Sequence, residues 1–86
     1  MANLKDMRKK IDFVDEQILR LLADRVKICE DIGSAKKLQG LPVKDLAREK
    51  LLYQRIRDQA EQLGIDPVLV EAVYREIVNM CSSVQE

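Results

Sequence analysis

One stretch, Leu4 to Gln39, constrains the whole chain. Its apolar residues recur on a seven-residue repeat at Leu4, Met7, Ile11, Val14, Ile18, Leu21, Ile28, Ile32 and Ala35, with Arg25 in the remaining place. Nine of ten positions are therefore apolar, the pattern of a helix seam that packs against another helix. A helix of that extent is about 54 Å long, more than a small globule is wide. Arg25 is the exception. Its helical neighbours at three, four and seven residues are Ile18, Leu21, Leu22, Ile28, Cys29 and Ile32, all apolar. A guanidinium there must reach out to water or meet an anion inside the protein.

The rest of the chain punctuates itself. Gly33 costs the first helix about 1 kcal/mol relative to Ala, and a close helix contact is the natural reason for it. Gly40 is placed to end that helix in a left-handed cap, and Leu41-Pro42-Val43 starts a new direction. A second helix is expected over about residues 45–63, capped by Asp45, with Leu46, Leu52, Ile56, Ala60 and Leu63 on one face. Gly64 closes it. Asp66-Pro67 is a start signal for a third helix over about 66–84, with a stripe of Val70, Val73, Ile77, Met80 or Cys81, and Val84. No strand pattern competes. The reading is all-α, one domain over residues 1–86, with a first helix too long for a compact three-helix bundle. An intertwined homodimer forming a helical bundle is expected, since a chain this small buries only about 60–65% of its unfolded surface alone.

Composition narrows the function classes. Fifteen basic residues balance fifteen acidic ones, whereas a dedicated nucleic-acid binder usually carries a basic excess. The amino-terminal MANLKDMRKK is polar and no long uncharged apolar run follows, so neither a secretory signal nor a membrane span is expected. Cys29 and Cys81 lack metal-type spacing and read as thiols of a cytoplasmic protein. The absence of histidine removes His-based triads and zinc sites, and no metal or other cofactor is expected.

Several polar residues interrupt the apolar faces. Glu49 sits among Leu46, Leu52, Tyr53 and Ile56. Lys36 follows Arg25 by eleven residues, so the two project within about 20° of each other, roughly 16 Å apart along the axis. A small anion fits between two such extended side chains. Gln85 falls one turn after Cys81 at the end of the third helix. Arg8 precedes Arg25 by seventeen residues, about 25 Å on a straight helix. Two long helices packed antiparallel would bring Arg8 of one chain towards Arg25 and Lys36 of the other, giving two symmetric sites.

These residues carry a family resemblance. Leu4-x-x-x-Arg8-x-x-Ile11-Asp12-x-x-Asp15-x-x-Ile18-Leu19-x-Leu21-Leu22-x-x-Arg25 resembles the first helix of the all-helical chorismate mutases. Ile32-Gly33-x-x-Lys36 and Pro42-Val43-x-Asp45-x-x-Arg48-Glu49 continue the pattern. The resemblance implies an intertwined helical dimer that converts chorismate to prephenate, a step towards phenylalanine and tyrosine. It also implies that Arg8, from the partner chain, and Arg25 hold the substrate carboxylates, and that Arg48 orients the enolpyruvyl part. Lys36 and Gln85 would donate to the ether oxygen, while Glu49 and the backbone at Asp45 would take the ring hydroxyl. Cys81 departs from the pattern, standing where the family often has serine. A thiol is the weaker donor, and Ser82 is its neighbour.

The implied chemistry suits the inventory, because an intramolecular rearrangement needs no nucleophile and no cofactor. The enzyme holds a flexible dianion in its reactive shape and places donors where charge grows on the ether oxygen. Two other readings stand beside it: an isochorismate pyruvate lyase of the same fold, and a helical dimer that only mediates assembly. From spacing alone, Arg25 reads as a snorkelling or salt-bridged residue, Arg8 as the i+4 partner of Asp12, and Lys36 as a solvated helix-end cation. Asp45 reads as a cap, Arg48 and Glu49 as surface charges, Cys81 as a core thiol and Gln85 as part of a fraying last turn. With so little chain beyond the catalytic helices, no built-in regulatory domain is expected.

Overall fold

A computed structural model describes residues 3–86. They form α1 (Leu4–Gln39), α2 (Leu46–Gln62) and α3 (Pro67–Gln85), with no strand among the described residues. Each start is fixed by a side chain that accepts an otherwise unpaired amide. Asn3 Oδ1 accepts from the Asp6 N–H at 2.8 Å, and Asp45 Oδ1 from Arg48 N–H at 3.0 Å. Asp66 Oδ1 accepts from Val68 N–H at 2.9 Å, with Pro67 opening the helix. The two aspartates thus stand just outside helices that the sequence reading began with them.

α3 is the element that joins the other two. It packs against both α1 and α2, which do not pack on each other. Leu52, Tyr53 and Ile56 of α2 meet Val78 of α3 in a small core, with Val70 and Tyr74 against it. On the outside of that core Arg57 and Arg75 both hold Glu71, and the Arg75 guanidinium lies 4.3 Å from the Tyr53 ring centre.

Hydrogen bonds from Arg57 and then Arg75 hold the Glu71 carboxyl below its ordinary value of 4.5. A carboxyl depressed by folding stabilises the fold above its unfolded pKa, and that contribution is lost as pH falls through the folded one. Glu71→Gln is therefore expected to melt lower than wild type at neutral pH and to converge with it only as pH falls through the depressed folded pKa. Thermal melts of both proteins across that range check this.

The molecule is elongated, 58 × 24 × 15 Å, with a radius of gyration of 16.2 Å. A compact chain of this length would have about 12 Å. The excess comes from α1, where partial burial begins at Leu22 and only Cys29 and Gly33 are fully buried. Upstream, the seam residues Leu4, Met7, Ile11, Val14, Ile18 and Leu21 are each 48–66% exposed. None of the described residues covers that apolar row. No helix of the described residues is long and apolar enough to cross a membrane.

Candidate functional site

Three helical stripes converge on one cavity of about 330 Å³, partly open to solvent. α1 contributes Arg25, Cys29, Ile32 and Lys36; α2 and the loop before it contribute Val43, Lys44, Asp45, Arg48, Glu49 and Leu52; α3 contributes Val78, Cys81, Ser82 and Gln85. Spacings of three, four and seven residues put each set on one helical face. The floor is apolar because Leu52 and Val78 also belong to the core. Around it stand Arg25, Lys36, Lys44 and Arg48, against Asp45 and Glu49.

Arg25 lines this cavity from its place in the seam. It is half-buried, and its Nη1 donates to Cys81 Sγ at 2.7 Å and lies 3.8 Å from Cys29 Sγ. Sulfur is a weak acceptor, so the guanidinium is steered without being neutralised. Among the described residues no carboxylate pairs with Arg25, Lys36 or Arg48. Burial pushes the Cys29 thiol up to about 11, the Cys81 thiol adds to the rise and Arg25 opposes it. Cys29 is thus a neutral wall residue at physiological pH, not a nucleophile.

Lys36 sits at the other end of the α1 stripe. Gly40, at φ 68°, turns the chain back so that the Leu41 N–H reaches Lys36 O at 2.8 Å. The same turn brings Val43 O within 2.6 Å of Lys36 Nζ, which also donates to Gln85 Oε1 at 2.9 Å. An ammonium only donates, so the Gln85 carbonyl must face Lys36 and its NH₂ group is left to donate elsewhere. Two donors therefore stand side by side. α3 is helical through Gln85.

The structure brings together Arg25, Lys36, Asp45, Arg48, Glu49, Cys81 and Gln85. The Asp45 carboxylate is engaged as a helix cap. Arg8 is exposed on the uncovered half of α1 and does not reach this cavity within the chain. Sequence reasoning passed over Cys29, Lys44 and the Val43 carbonyl. Cys29 falls at i+4 from Arg25 and was legible as its neighbour; Lys44 and Val43 lie in a loop, where no period applies.

A larger, shallower depression of about 550 Å³ lies against Lys44, Lys50, Tyr53, Arg57 and Arg75. Its arginines are already paired with Glu71. In the first cavity, by contrast, neither arginine, Arg25 or Arg48, has a carboxylate partner among the described residues.

The chorismate mutase type II family matches residues 7–86. A protein named chorismate mutase from Methanocaldococcus jannaschii is 31% identical over 86 residues, covering all of this chain and 87% of the relative. A bifunctional chorismate mutase/prephenate dehydratase from Aquifex aeolicus is 38% identical over 90 residues, covering all of this chain and 25% of the relative. The chain thus spans about a quarter of that longer relative's length. The solved structure of a conserved hypothetical protein from Pyrococcus furiosus superposes with a TM-score of 0.75 at 29% identity, covering 100% of this chain and 99% of the other.

Proposed function

The chain belongs to the chorismate mutase type II family, and we propose that its inter-helix cavity converts chorismate to prephenate by an intramolecular Claisen rearrangement. The observation that carries this reading is the Lys36–Gln85 donor pair, at 2.9 Å, in a cavity whose other cations lack carboxylate partners. In this reading Arg25 and, from a second copy, Arg8 bind the two carboxylates of the dianion and hold it folded, with Arg48 orienting the enolpyruvyl part. As the carbon–oxygen bond breaks, negative charge grows on the ether oxygen. The third Lys36 proton and the Gln85 NH₂ group are fixed donors for it, in place before the charge develops. Glu49 takes the ring hydroxyl, and the backbone at Asp45 assists. Cys81 acts on Arg25 by accepting from it, which needs no strong donor. No proton changes hands and no covalent intermediate forms.

A second copy completes the site. The row from Leu4 to Leu21 is the apolar surface for an antiparallel partner, and pairing two such rows carries Arg8 of each copy towards the other's cavity. Arg8→Ala and Arg25→Ala are each expected to be inactive as pure dimers. Refolded together in equal amounts, half the dimers are mixed, and each mixed dimer has one intact site. Activity is then expected to return to about a quarter of wild type. No recovery on mixing would place Arg8 outside the shared site. A cytoplasmic location accords with the two free thiols and a biosynthetic substrate.

The direct test incubates the purified protein with chorismate and, separately, with isochorismate, and identifies products by mass. Prephenate at an enzymatic rate supports the reading. Salicylate and pyruvate from isochorismate with little prephenate would replace it with the lyase. No turnover of either by a folded dimer would leave an assembly module.

A further inference from the structure

We infer that Gly33 is a positioning residue: its missing side chain is the space that lets Gln85 stand where Lys36 can hold it. This rests on the role proposed above for Gln85. Gly33 is buried inside α1, near its carboxyl end, and, unlike Gly40 and Gly64, has no positive φ to explain it. A Cβ placed there would lie 2.9 Å from Gln85 Cα and 3.0 Å from both its Cβ and its Cγ. Ordinary contact begins at 3.4 Å. The nearest atom is backbone, so rotating a side chain does not relieve the clash. The end of α3 has to retreat by about 0.5 Å or more.

Lys36 cannot simply follow. It lies one turn along α1 from Gly33, and its ammonium is also tied to Val43 O at 2.6 Å. Retreat of Gln85 therefore lengthens the 2.9 Å bond to Lys36 and moves its NH₂ group away from the reacting oxygen. A misplacement of about 1 Å at a reacting centre costs on the order of a hundredfold. Alanine is also the better helix former, so a loss in Gly33→Ala arises between the helices and not within α1.

The test compares Gly33→Ala in the full chain with the same substitution in a chain ending at Val84, which lacks Gln85. In the full chain kcat for chorismate is expected to fall about 10- to 100-fold, with KM changed less than about threefold because the carboxylate anchors are untouched. In the shortened chain, where the clashing residue is gone, the substitution is expected to change residual turnover less than about twofold. The same proportional loss in both chains overturns the inference, since the glycine would then serve α1 or the dimer. If Gly33→Ala fails to fold at full length, restored folding in the shortened chain supports the inference and failure in both overturns it. The NMR resonances of the Gln85 side-chain amide give a readout independent of the reaction. They are expected to move in Gly33→Ala, and unmoved resonances overturn the inference. Resonances that move in Gly33→Ala, alongside a wild-type chain that turns over no chorismate, would defeat the proposed reaction alone.

Discussion

Arg25→Ala is expected to lower kcat/KM for chorismate by about 10²- to 10⁴-fold while leaving the helices and their assembly in place. A bidentate guanidinium–carboxylate contact comprises two charge-assisted hydrogen bonds. At about 1.5–3 kcal/mol each, their loss accounts for that range. The fold should tolerate the change because Arg25 neutralises nothing: its recorded partners are the sulfurs of Cys29 and Cys81. No carboxylate is orphaned, which is what usually makes removal of a buried ion-pair partner so destabilising. Arg25→Lys should also be poor, since a single ammonium cannot reproduce the planar fork. Steady-state kinetics with circular-dichroism melts separate the two effects. Turnover within tenfold of wild type in a folded Arg25→Ala dimer would remove Arg25 as the anchor.

Lys36→Met is expected to lower kcat by about 10²- to 10³-fold, the usual cost of removing one donor aimed at developing charge. Here the substitution removes more than one contact. Val43 O and Gln85 Oε1 both lose their donor, so the loop and the end of α3 are released together. Gln85→Glu probes the same pair through pH. An ionised carboxylate only accepts, and beside the growing negative charge it repels. The Lys36 ammonium favours that ionised form. The variant should therefore be weak at neutral pH and recover only as pH falls towards about 4, where the carboxyl regains its proton. Gln85 has no ionisable group, so wild-type kcat should stay nearly flat from mildly acidic to neutral pH. A steep acid limb in the wild type would show that a carboxyl group controls the step.

Much of the molecule was legible along single helices. The seam from Leu4 to Ala35 gave α1 its length, Gly40 its end, and Asp45 and Asp66-Pro67 the starts of α2 and α3. The register of Arg25 with Lys36, and of Cys81 with Gln85, follows from the 3.6-residue period and needs no knowledge of neighbours. Gly33 was legible as a close-contact residue, but its counterpart was not. The exposure of the Leu4–Leu21 row was likewise implicit in a helix longer than its own chain can cover.

Other relations belong to the fold alone. That α3 joins α1 to α2 is invisible in three stripes of similar quality. That Cys81 accepts from Arg25 across 56 residues of chain is announced by neither stripe. Lys44 and the Val43 carbonyl enter the site through a turn, where no repeat announces direction. Gln85, one residue from the chain's end, is held by a bond to Lys36 that no local propensity supplies. The sequence by itself determined which residues share a helix face, because that depends only on the geometry of one helix. The tertiary structure decided which faces meet and at what separation, because the crossing and slide of two helices are set by how side chains such as the absent one at Gly33 let their backbones approach.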